Sequence, residues 1–367
     1  MRIFFFIVVI IHALIHLLGF LKAFQLAEIN QLTQNMSKPM GILWFAALLL
    51  LVVSAALFIL KNDYWWMTAF AGVVLSQILI IIFWSDAKFG TIPNIIILLA
   101  AIVAFSNWSF NKSVKNEITE MQPSTNDQKE ILTEEKISHL PPIVQKWLKN
   151  SGAVDREIIR SVYLKQLGQM KMKPEQEKWF TAKAEQWFNV DNPAFIWKVE
   201  VDMMPMVFFT GRDKFYNAKG GMLIKVLSLI NIVNSSDDEK INQGTLQRYL
   251  GEIVWFPSAA VSPHIKWEEV DSLSAKATMN FKGTTGSGLF YFNAAGDFVK
   301  FSTMRYMGTG DEAQLKEWNI SMSDYKIFDG IKIPVKGEAA WKLADGDFTW
   351  YKLEIFDVEY NKKFIED

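Results

Sequence analysis

The stretch Q-G-T-L-Q-R-Y-L-G-E-I-V-W-F-P-S, Gln243 to Ser258, predicts the one long helix of a C-terminal region that otherwise has the pattern of strands. Its apolar face follows the spacing of a 3.6-residue helix and consists of Leu246, Tyr249, Leu250, Ile253 and Val254. The opposite face carries Arg248, Glu252 and Trp255. Pro257 predicts the end of the helix, because its ring cannot continue the helix and disfavours the helical region for the preceding residue.

From Ile158 onward the hydrophobic period is two, which predicts strands on both sides of this helix. The strand-like runs cover residues 159–167, 179–190, 195–203, 206–217, 222–227, 275–281, 287–293, 298–306, 319–328, 331–341 and 348–360. The tight turns between consecutive strands predict an antiparallel meander. A sheet of about ten strands must curl, split or close. We therefore expect a mainly β domain, formed by a curled antiparallel sheet or half-barrel with one covering helix.

The N-terminal third is dominated by four apolar runs, at residues 3–21, 41–60, 64–84 and 92–105. Each is about long enough to cross ~30 Å of hydrocarbon as a helix. The sequence therefore predicts an all-α block of four transmembrane helices at residues 1–110. A polar linker at residues 111–139 and a β-rich soluble domain at residues 140–367 follow.

The even number of crossings places the β domain on the same side of the membrane as the N-terminus. The short flanks on that side carry Arg2, Lys61, Lys112 and Lys115, and the flanks on the other side carry Lys22, Lys38 and Lys88. This narrow excess favours the cytoplasm for the β domain. We expect an integral protein of a bacterial inner (cytoplasmic) membrane.

Composition excludes several classes of function. With 38 Lys and Arg against 39 Asp and Glu, no global field recruits nucleic acid, so no nucleic-acid partner is expected. The chain has no cysteine, which removes thiolate catalysis and cysteine-ligated metals. No cofactor is predicted.

A candidate polar cluster within the membrane block consists of His12, His16, Asp86 and Asn94. His12 and His16 are four residues apart and share a helix face with Gly19. They are either a ligand-binding or proton-handling pair, since ionisable groups at membrane depth usually have a role, or polar contacts between helices. Asp86 lies in a short loop, where an ordinary solvated turn is the simpler interpretation. No metal site is predicted.

Three arginines are candidates for binding an anion in the β domain. They are Arg212 in G-R-D-K-F-Y, Arg248 four residues before Glu252, and Arg305 in M-R-Y. A carboxylate between arginines stays charged, which suits an anion clamp or a structural ion pair. We found no nucleophile with a nearby base and predict no catalytic residue. The predicted ligand-binding set is Arg212, Arg248, Glu252, Trp255 and Arg305.

The abundant aromatic residues of the β domain leave two interpretations open: they fill the core, or they line a cavity for a lipid-like ligand. Three hypotheses for function follow. The β domain binds a hydrophobic or amphiphilic ligand near the membrane, it is a structural or partner-binding module for the membrane block, or it is an enzyme that uses Glu252 as its acid or base.

The sequence also resembles a bacterial family of uncharacterised domains of unknown function. The resemblance lies in residues 140–152, in Gly211-Arg212-Asp213, in R-Y-L-G-E-I-V-W-F-P from Arg248 to Pro257, and in Trp267. It extends over about residues 140–360 and implies no activity or ligand. More remotely, a curled sheet with a helix across its mouth looks like the lipoprotein-carrier fold of the bacterial envelope, as an architectural analogy only.

Overall fold

A computed structural model describes residues 2–123, 129–308 and 310–365 of the chain. Its contacts divide it into two compact units, residues 1–112 and residues 113–367, which we call the helical unit and the β unit. Residues 124–128 of the predicted linker lie outside the described residues. The proposed limits of the linker and of the two domains on either side of it remain predictions.

The helices of the first unit are α1 (Arg2–Ala23), α2 (Lys38–Ile59), α3 (Trp65–Ile82), the short α4 (Trp84–Ala87) and α5 (Thr91–Glu120), which continues beyond the unit. Four segments are long and apolar enough to cross a membrane, as predicted: α1, α2, α3 and Trp84–Glu120. Large apolar side chains such as Ile3, Phe4 and Leu60 are exposed on their outer faces. Such a surface suits a lipid environment better than water.

Small residues let these helices approach closely. Gly19 of α1 lies against the Trp44 ring of α2, where a Cβ atom would come within 2.5 Å of ring carbons. Gly41 of α2 lies against Ala23 of α1 in the same way, and a Cβ atom at Gly41 would clash with the Cβ atom of Ala23. Close backbone approach at glycine is typical of helix packing in membranes.

Helix α5 is longer than its apolar run. It continues to Glu120, through a stretch that the sequence analysis assigned to the polar linker. The residues Phe110, Val114, Ile118 and Met121 are all buried. Their spacing of three or four residues is that of a helix face. The overall polarity of the stretch concealed this period, which is why the helix was missed.

The β unit begins with two short helices, α6 (Glu134–Ile137) and α7 (Pro142–Asn150). Six strands follow: β1 (Ser161–Met170), β2 (Phe180–Asn189), β3 (Ala194–Met204), β4 (Val207–Tyr216), β5 (Lys219–Val226) and β6 (Ile230–Ser236). After α8 (Glu239–Glu252) come β7 (Ile265–Asp271), β8 (Ser274–Phe281), β9 (Thr284–Phe292), β10 (Phe298–Met307), β11 (Gln314–Phe328), β12 (Ile331–Leu343) and β13 (Gly346–Tyr360).

These strands form one antiparallel sheet in the order β6-β5-β4-β3-β2-β1-β13-β12-β11-β10-β9-β8-β7. Two meanders are joined where β1 pairs with β13, with Val162 opposite Tyr360. The sheet is curled and not closed, which confirms the predicted fold class. Its edges are β6 and β7, the two strands that the sequence analysis missed. Most of their residues are exposed, so neither has the alternation of buried and exposed side chains that marks an inner strand.

Helix α8 is enclosed by the sheet. It packs against β9 and β10 on one side and against β4 and β5 on the other. Every residue from Gly244 to Glu252 is consequently buried, including the face that carries Arg248. The helix begins at Glu239, four residues before the predicted start, because the Asp238 carboxylate caps it by accepting a hydrogen bond from the Lys240 N–H. Two 3-10 turns, Ile253–Trp255 and Pro257–Val261, follow its end at Glu252.

Candidate functional site

A cavity of about 350 Å³ lies between α8 and the inner face of the curled sheet. Helix α8 contributes Gly244, Arg248 and Glu252 to its wall, and Trp255 follows from the next turn. The wall that the strands contribute is largely apolar and includes Met222, Trp318, Ile320, Trp341 and Leu353. The volume falls in the range of small-molecule sites, and an apolar wall with a few polar groups is their usual composition.

The β unit contains both a packed aromatic core and a cavity lined by aromatic residues, in different parts of the domain. One group is packed solid around the apolar face of α8 and consists of Phe188, Phe195, Phe215, Tyr249 and Phe256, none more than 1% exposed. A second group, Trp255, Trp318, Trp341 and Trp350, lines the cavity. The core is therefore filled on one side of the helix and hollow on the other.

Arg248 forms the centre of a buried ion cluster in the cavity wall. Its Nη1 donates to Asp213 Oδ2 at 2.7 Å, and its Nε donates to Glu252 Oε1 at 2.9 Å. The guanidinium also lies over the Trp197 ring, 4.8 Å from the centroid. Burial alone would lower the pKa of Arg248, but the carboxylates of Glu252 and Asp213 outweigh burial and raise it.

The other oxygen of Glu252 is also occupied. Gln186 Nε2 donates to Glu252 Oε2 at 2.7 Å, and Gln166 Nε2 donates to Gln186 Oε1 at 3.0 Å. Gln166 Oε1 in turn accepts from the Tyr351 hydroxyl and from the Trp197 indole. Burial raises the pKa of the Glu252 carboxyl, and the positive charge of Arg248 opposes that shift. This chain of bonds fixes Glu252 as an acceptor within a satisfied network.

Arg305, on β10, reaches the same cavity without a comparable partner. Its guanidinium lies over the Trp318 ring at 4.6 Å and beside the Trp341 ring at 5.9 Å. Within the described part of the chain, no hydrogen bond or ion pair joins it to another side chain. Burial, together with the charge of Arg248, lowers the pKa of Arg305 to about 10, so it remains a cation at neutral pH. Gly244 of α8 leaves room for it, since a Cβ there would be 3.0 Å from Arg305 Nε.

Three indole N–H groups around the cavity also lack partners among the described residues. They belong to Trp255, Trp318 and Trp350, and each nitrogen is closed to solvent. An unpartnered buried donor costs about 1–3 kcal/mol, so such groups usually indicate a missing acceptor. Arg305 and the three covered indole groups are thus hydrogen-bond donors around the cavity that have no acceptor among the described residues.

Arg212 does not belong to this cavity. Its Nε pairs with Glu117 Oε2 at 2.9 Å, and its Nη1 donates to the Gly221 carbonyl at 3.1 Å. Arg212 and Asp213 are neighbours on β4, and successive side chains of a strand point to opposite faces. Asp213 therefore faces Arg248, whereas Arg212 faces outward. The alternation of side chains along a strand could have shown from the sequence that Arg212 and Asp213 lie on opposite faces of the sheet.

The other predicted site residues lie either in the wall of this cavity or in the helical unit. Arg248, Glu252, Trp255 and Arg305 all line the cavity. Trp318, Trp341 and Trp350 belong to the aromatic residues that were expected either to fill the core or to line a cavity. The sequence did not single them out, because they come from three strands and meet only in the folded sheet.

In the helical unit, His12 and His16 meet Asn94 in a buried hydrogen-bonded cluster, but Asp86 is separate from it. His12 Nε2 lies 2.8 Å from Asn94 Oδ1, and His16 Nε2 lies 2.8 Å from Ser76 Oγ. Asp86 instead accepts from the backbone N–H groups of Thr33 and Gln34 at 2.7 and 3.0 Å, and so stabilises the connection between α1 and α2.

Comparison with known proteins gives a family without an assigned activity. Among solved structures, the chain is similar to a LolA superfamily protein from Nitrosomonas europaea, with 11% identity and a TM-score of 0.31. That similarity covers 60% of this chain and 94% of the other, and it is too low to support an argument. No curated protein matches the chain. A family of unknown function, DUF6544, matches residues 130–353, more than half of the chain, and the protein therefore belongs to this family.

Proposed function

We propose that the β unit binds a single-chain amphiphile with an anionic head group in the cavity beside α8. The observation that carries this proposal is Arg305, a cation held between Trp318 and Trp341 in an apolar wall, without a carboxylate of its own. A carboxylate or phosphate would supply the missing counter-charge through charge-assisted hydrogen bonds. The apolar wall would hold the chain of the ligand.

The cavity is lined by three acidic side chains, Asp213, Asp238 and Glu252, and three basic ones, Lys240, Arg248 and Arg305. Arg248 pairs with Asp213 and Glu252, Asp238 caps α8, and Lys240 donates to the Gly310 carbonyl. Arg305 is the one of these six without a hydrogen bond or ion pair among the described residues, which favours an anionic ligand. The unpartnered indole donors of Trp255, Trp318 and Trp350 add to the demand for an acceptor. Small side-chain movements would be needed to expose them, because their nitrogens are covered.

The two alternatives receive less support. A structural or partner-binding module needs no hollow core, whereas the β unit keeps a cavity of about 350 Å³. An enzyme that uses Glu252 as its acid or base needs that carboxyl free to exchange a proton. Here Arg248 and Gln186 occupy both oxygens of Glu252, which favours a structural role.

The test begins with the full chain purified in detergent and analysed by native mass spectrometry. We expect a co-purifying anionic lipid in the parent protein and its loss in Arg305→Gln. After delipidation, palmitate and hexadecyl phosphate are compared with the uncharged hexadecanol. A hydrogen bond to a charged group is worth about 1.5–3 kcal/mol, so we expect at least about tenfold tighter binding of an anion. The two anions distinguish a carboxylate from a phosphate head group.

Matched variants separate the head-group contact from general effects. Lys300→Gln removes a charge from the same strand, on the face opposite to Arg305, and should retain the lipid. Ala339→Phe fills the cavity from β12 and should exclude the chain of every ligand. A parent protein that carries no lipid and binds none of the three probes would refute the proposal. Equal binding of palmitate and hexadecanol would refute the role of Arg305.

We also propose that the helices anchor the β unit at a bacterial cytoplasmic membrane, with the β unit on the cytoplasmic side. The four apolar segments support insertion, and the side rests on the narrow excess of flanking lysine and arginine. Topology reporters fused after Phe110 and near Lys61 should both give the cytoplasmic signal, and a reporter near Asp86 should give the opposite signal. Different signals at Phe110 and Lys61 would mean that one helix does not cross.

A further inference from the structure

A second polar cluster is buried among the apolar side chains of the helical unit. It consists of His12 and His16 on α1, Ser76 and Gln77 on α3, and Asn94 on α5. His12, His16, Ser76 and Asn94 are each no more than 2% exposed. Buried polar groups between apolar helices are costly unless every bond is made, so the direction of each hydrogen bond can be worked out.

The tautomer of His16 follows from its backbone contact. Its Nδ1 lies 2.8 Å from the carbonyl oxygen of His12, and a carbonyl can only accept, so Nδ1 carries the proton. Neutral His16 then has an unprotonated Nε2. That nitrogen lies 2.8 Å from Ser76 Oγ and accepts its hydroxyl proton.

The remaining bonds follow from the single proton of Ser76. Because that proton is given to His16, Ser76 Oγ acts as an acceptor towards Asn94 Nδ2 at 3.0 Å. Asn94 Nδ2 also donates to Gln77 Oε1 at 3.0 Å, which fixes the orientation of the amide. Asn94 Oδ1 then faces His12 Nε2 at 2.8 Å, so Nε2 of His12 carries the proton and donates it. Ser76 Oγ also lies near this nitrogen, but at 3.4 Å it is the more distant acceptor.

One lone pair is left over. Nδ1 of His12 is an unprotonated nitrogen that is buried and has no hydrogen-bond partner among the described residues. The Cε1 atom next to it faces Gly90, where a Cβ atom would come within 3.5 Å. In contrast, both ring nitrogens of His16 are engaged.

We propose that Nδ1 of His12 is a proton-binding site within the helical unit. A proton added there leaves every hydrogen bond of the cluster in place, since Nε2 of His12 continues to donate to Asn94. A proton added to Nε2 of His16 would reverse that hydrogen bond, because Nε2 would then donate to Ser76 Oγ, and the Ser76 hydroxyl proton would lose its acceptor. An imidazolium at membrane depth is costly, so the nitrogen that can be protonated without breaking a hydrogen bond takes the proton first.

Among the described residues, the side chains and glycine that contact the two rings from neighbouring elements are Trp44, Ser76, Gly90 and Asn94, and none of them is charged. His16 is the one titratable neighbour within the described residues of the cluster. The site is separate from the amphiphile cavity and does not depend on the function proposed for it.

The test is nuclear magnetic resonance of the full chain in detergent micelles, with the histidine ring nitrogens isotope-labelled. The chain has four histidines, so the spectrum is simple, and exposed His139 serves as an internal reference. At neutral pH we expect the Nε2–H tautomer for His12 and the Nδ1–H tautomer for His16. On acidification the Nδ1 signal of His12 should move to the protonated position, with Nε2–H retained, before either signal of His16 moves.

Two variants sharpen the measurement. Asn94→Leu removes the nearer acceptor of His12 Nε2 and leaves Ser76 Oγ at 3.4 Å, so the Nδ1–H tautomer of His12 should appear beside the Nε2–H form while His16 stays unchanged. Gln77→Leu leaves the contact between Asn94 and His12 in place and should preserve both assignments. Reversed tautomers, protonation of His16 before His12, or unfolding of the helical unit before His12 takes up a proton would each overturn the proposal.

Discussion

The two units of this protein each bury a polar cluster, but the cluster in the β unit is ionised and the one in the helical unit is neutral. In the β unit, Arg248 lies between two carboxylates, with Asp213 35 residues away in sequence and Glu252 four residues away. In the helical unit, the groups joined to His12 and His16 are amide and hydroxyl groups.

The difference shows how each fold satisfies buried polar groups. A curled sheet brings side chains from distant strands around one helix, so a buried guanidinium can find compensating carboxylates. Apolar helices offer few charged residues, and a hydrogen-bonded network that is neutral avoids the cost of a charge at membrane depth. The two clusters should therefore respond very differently to substitution.

The largest effect is expected for Glu252→Ala in the β unit. The change removes one carboxylate from Arg248 and leaves Gln186 without its acceptor, so the free energy of unfolding should fall by about 3–5 kcal/mol. Urea titration of the full chain in detergent, read by pulse proteolysis of the β unit, measures this loss. A loss below about 1 kcal/mol would mean that the cluster behaves as if exposed to solvent.

An intermediate effect is expected when His12 and His16 are both changed to Asn. Hydrogen bonds between membrane helices are worth about 0.6 kcal/mol on average and up to ~2, so the helical unit should stay folded with a modest loss of stability. Denaturation of the detergent-solubilised chain by an anionic detergent measures it, with His139→Asn as an exposed control. If the parent protein carried a bound metal or a light-absorbing cofactor and the variant did not, His12 and His16 would be ligands and not only hydrogen-bonding residues.

The smallest effect is expected for Asp202→Ala on the outer surface of the sheet. The ion pair between Lys183 Nζ and Asp202 Oδ2 is 3.7 Å long, and both side chains are more than half exposed. Exposed pairs contribute at most about 1 kcal/mol, so the urea midpoint of the β unit should barely move. A loss equal to that of Glu252→Ala would remove the distinction between buried and exposed pairs on which the comparison rests.

Much of the fold could be predicted from local periodicity. Within the described residues, the apolar runs predicted the four long helices, and the alternation of period two predicted eleven of the thirteen strands. The edge strands β6 and β7 escaped because an edge strand has one hydrogen-bonded neighbour and little buried surface. The end of α5 escaped because its buried stripe, which includes Val114 and Ile118, is surrounded by polar residues.

The candidate site could be predicted only in part. The spacing of Arg248 and Glu252 on one helix indicated their ion pair, since residues four apart are neighbours on a helix. Strand alternation places Arg212 on the face opposite to Asp213, but nothing local indicated that Arg305 reaches the cavity. Its position there depends on the face of the strand and on which strands the curl brings together.

The sequence by itself determined the repeating features of the protein: the long apolar helices, the meander of strands and the apolar stripe of α8. These features depend on hydrophobic spacing within a short window, which can be read from the sequence without knowledge of the fold. The tertiary structure alone decided the rest. It enclosed both faces of α8, left a cavity beside Arg305, and ordered the hydrogen bonds around His12. These features arise from contacts between residues that are tens of positions apart, and such contacts exist only once the chain is folded.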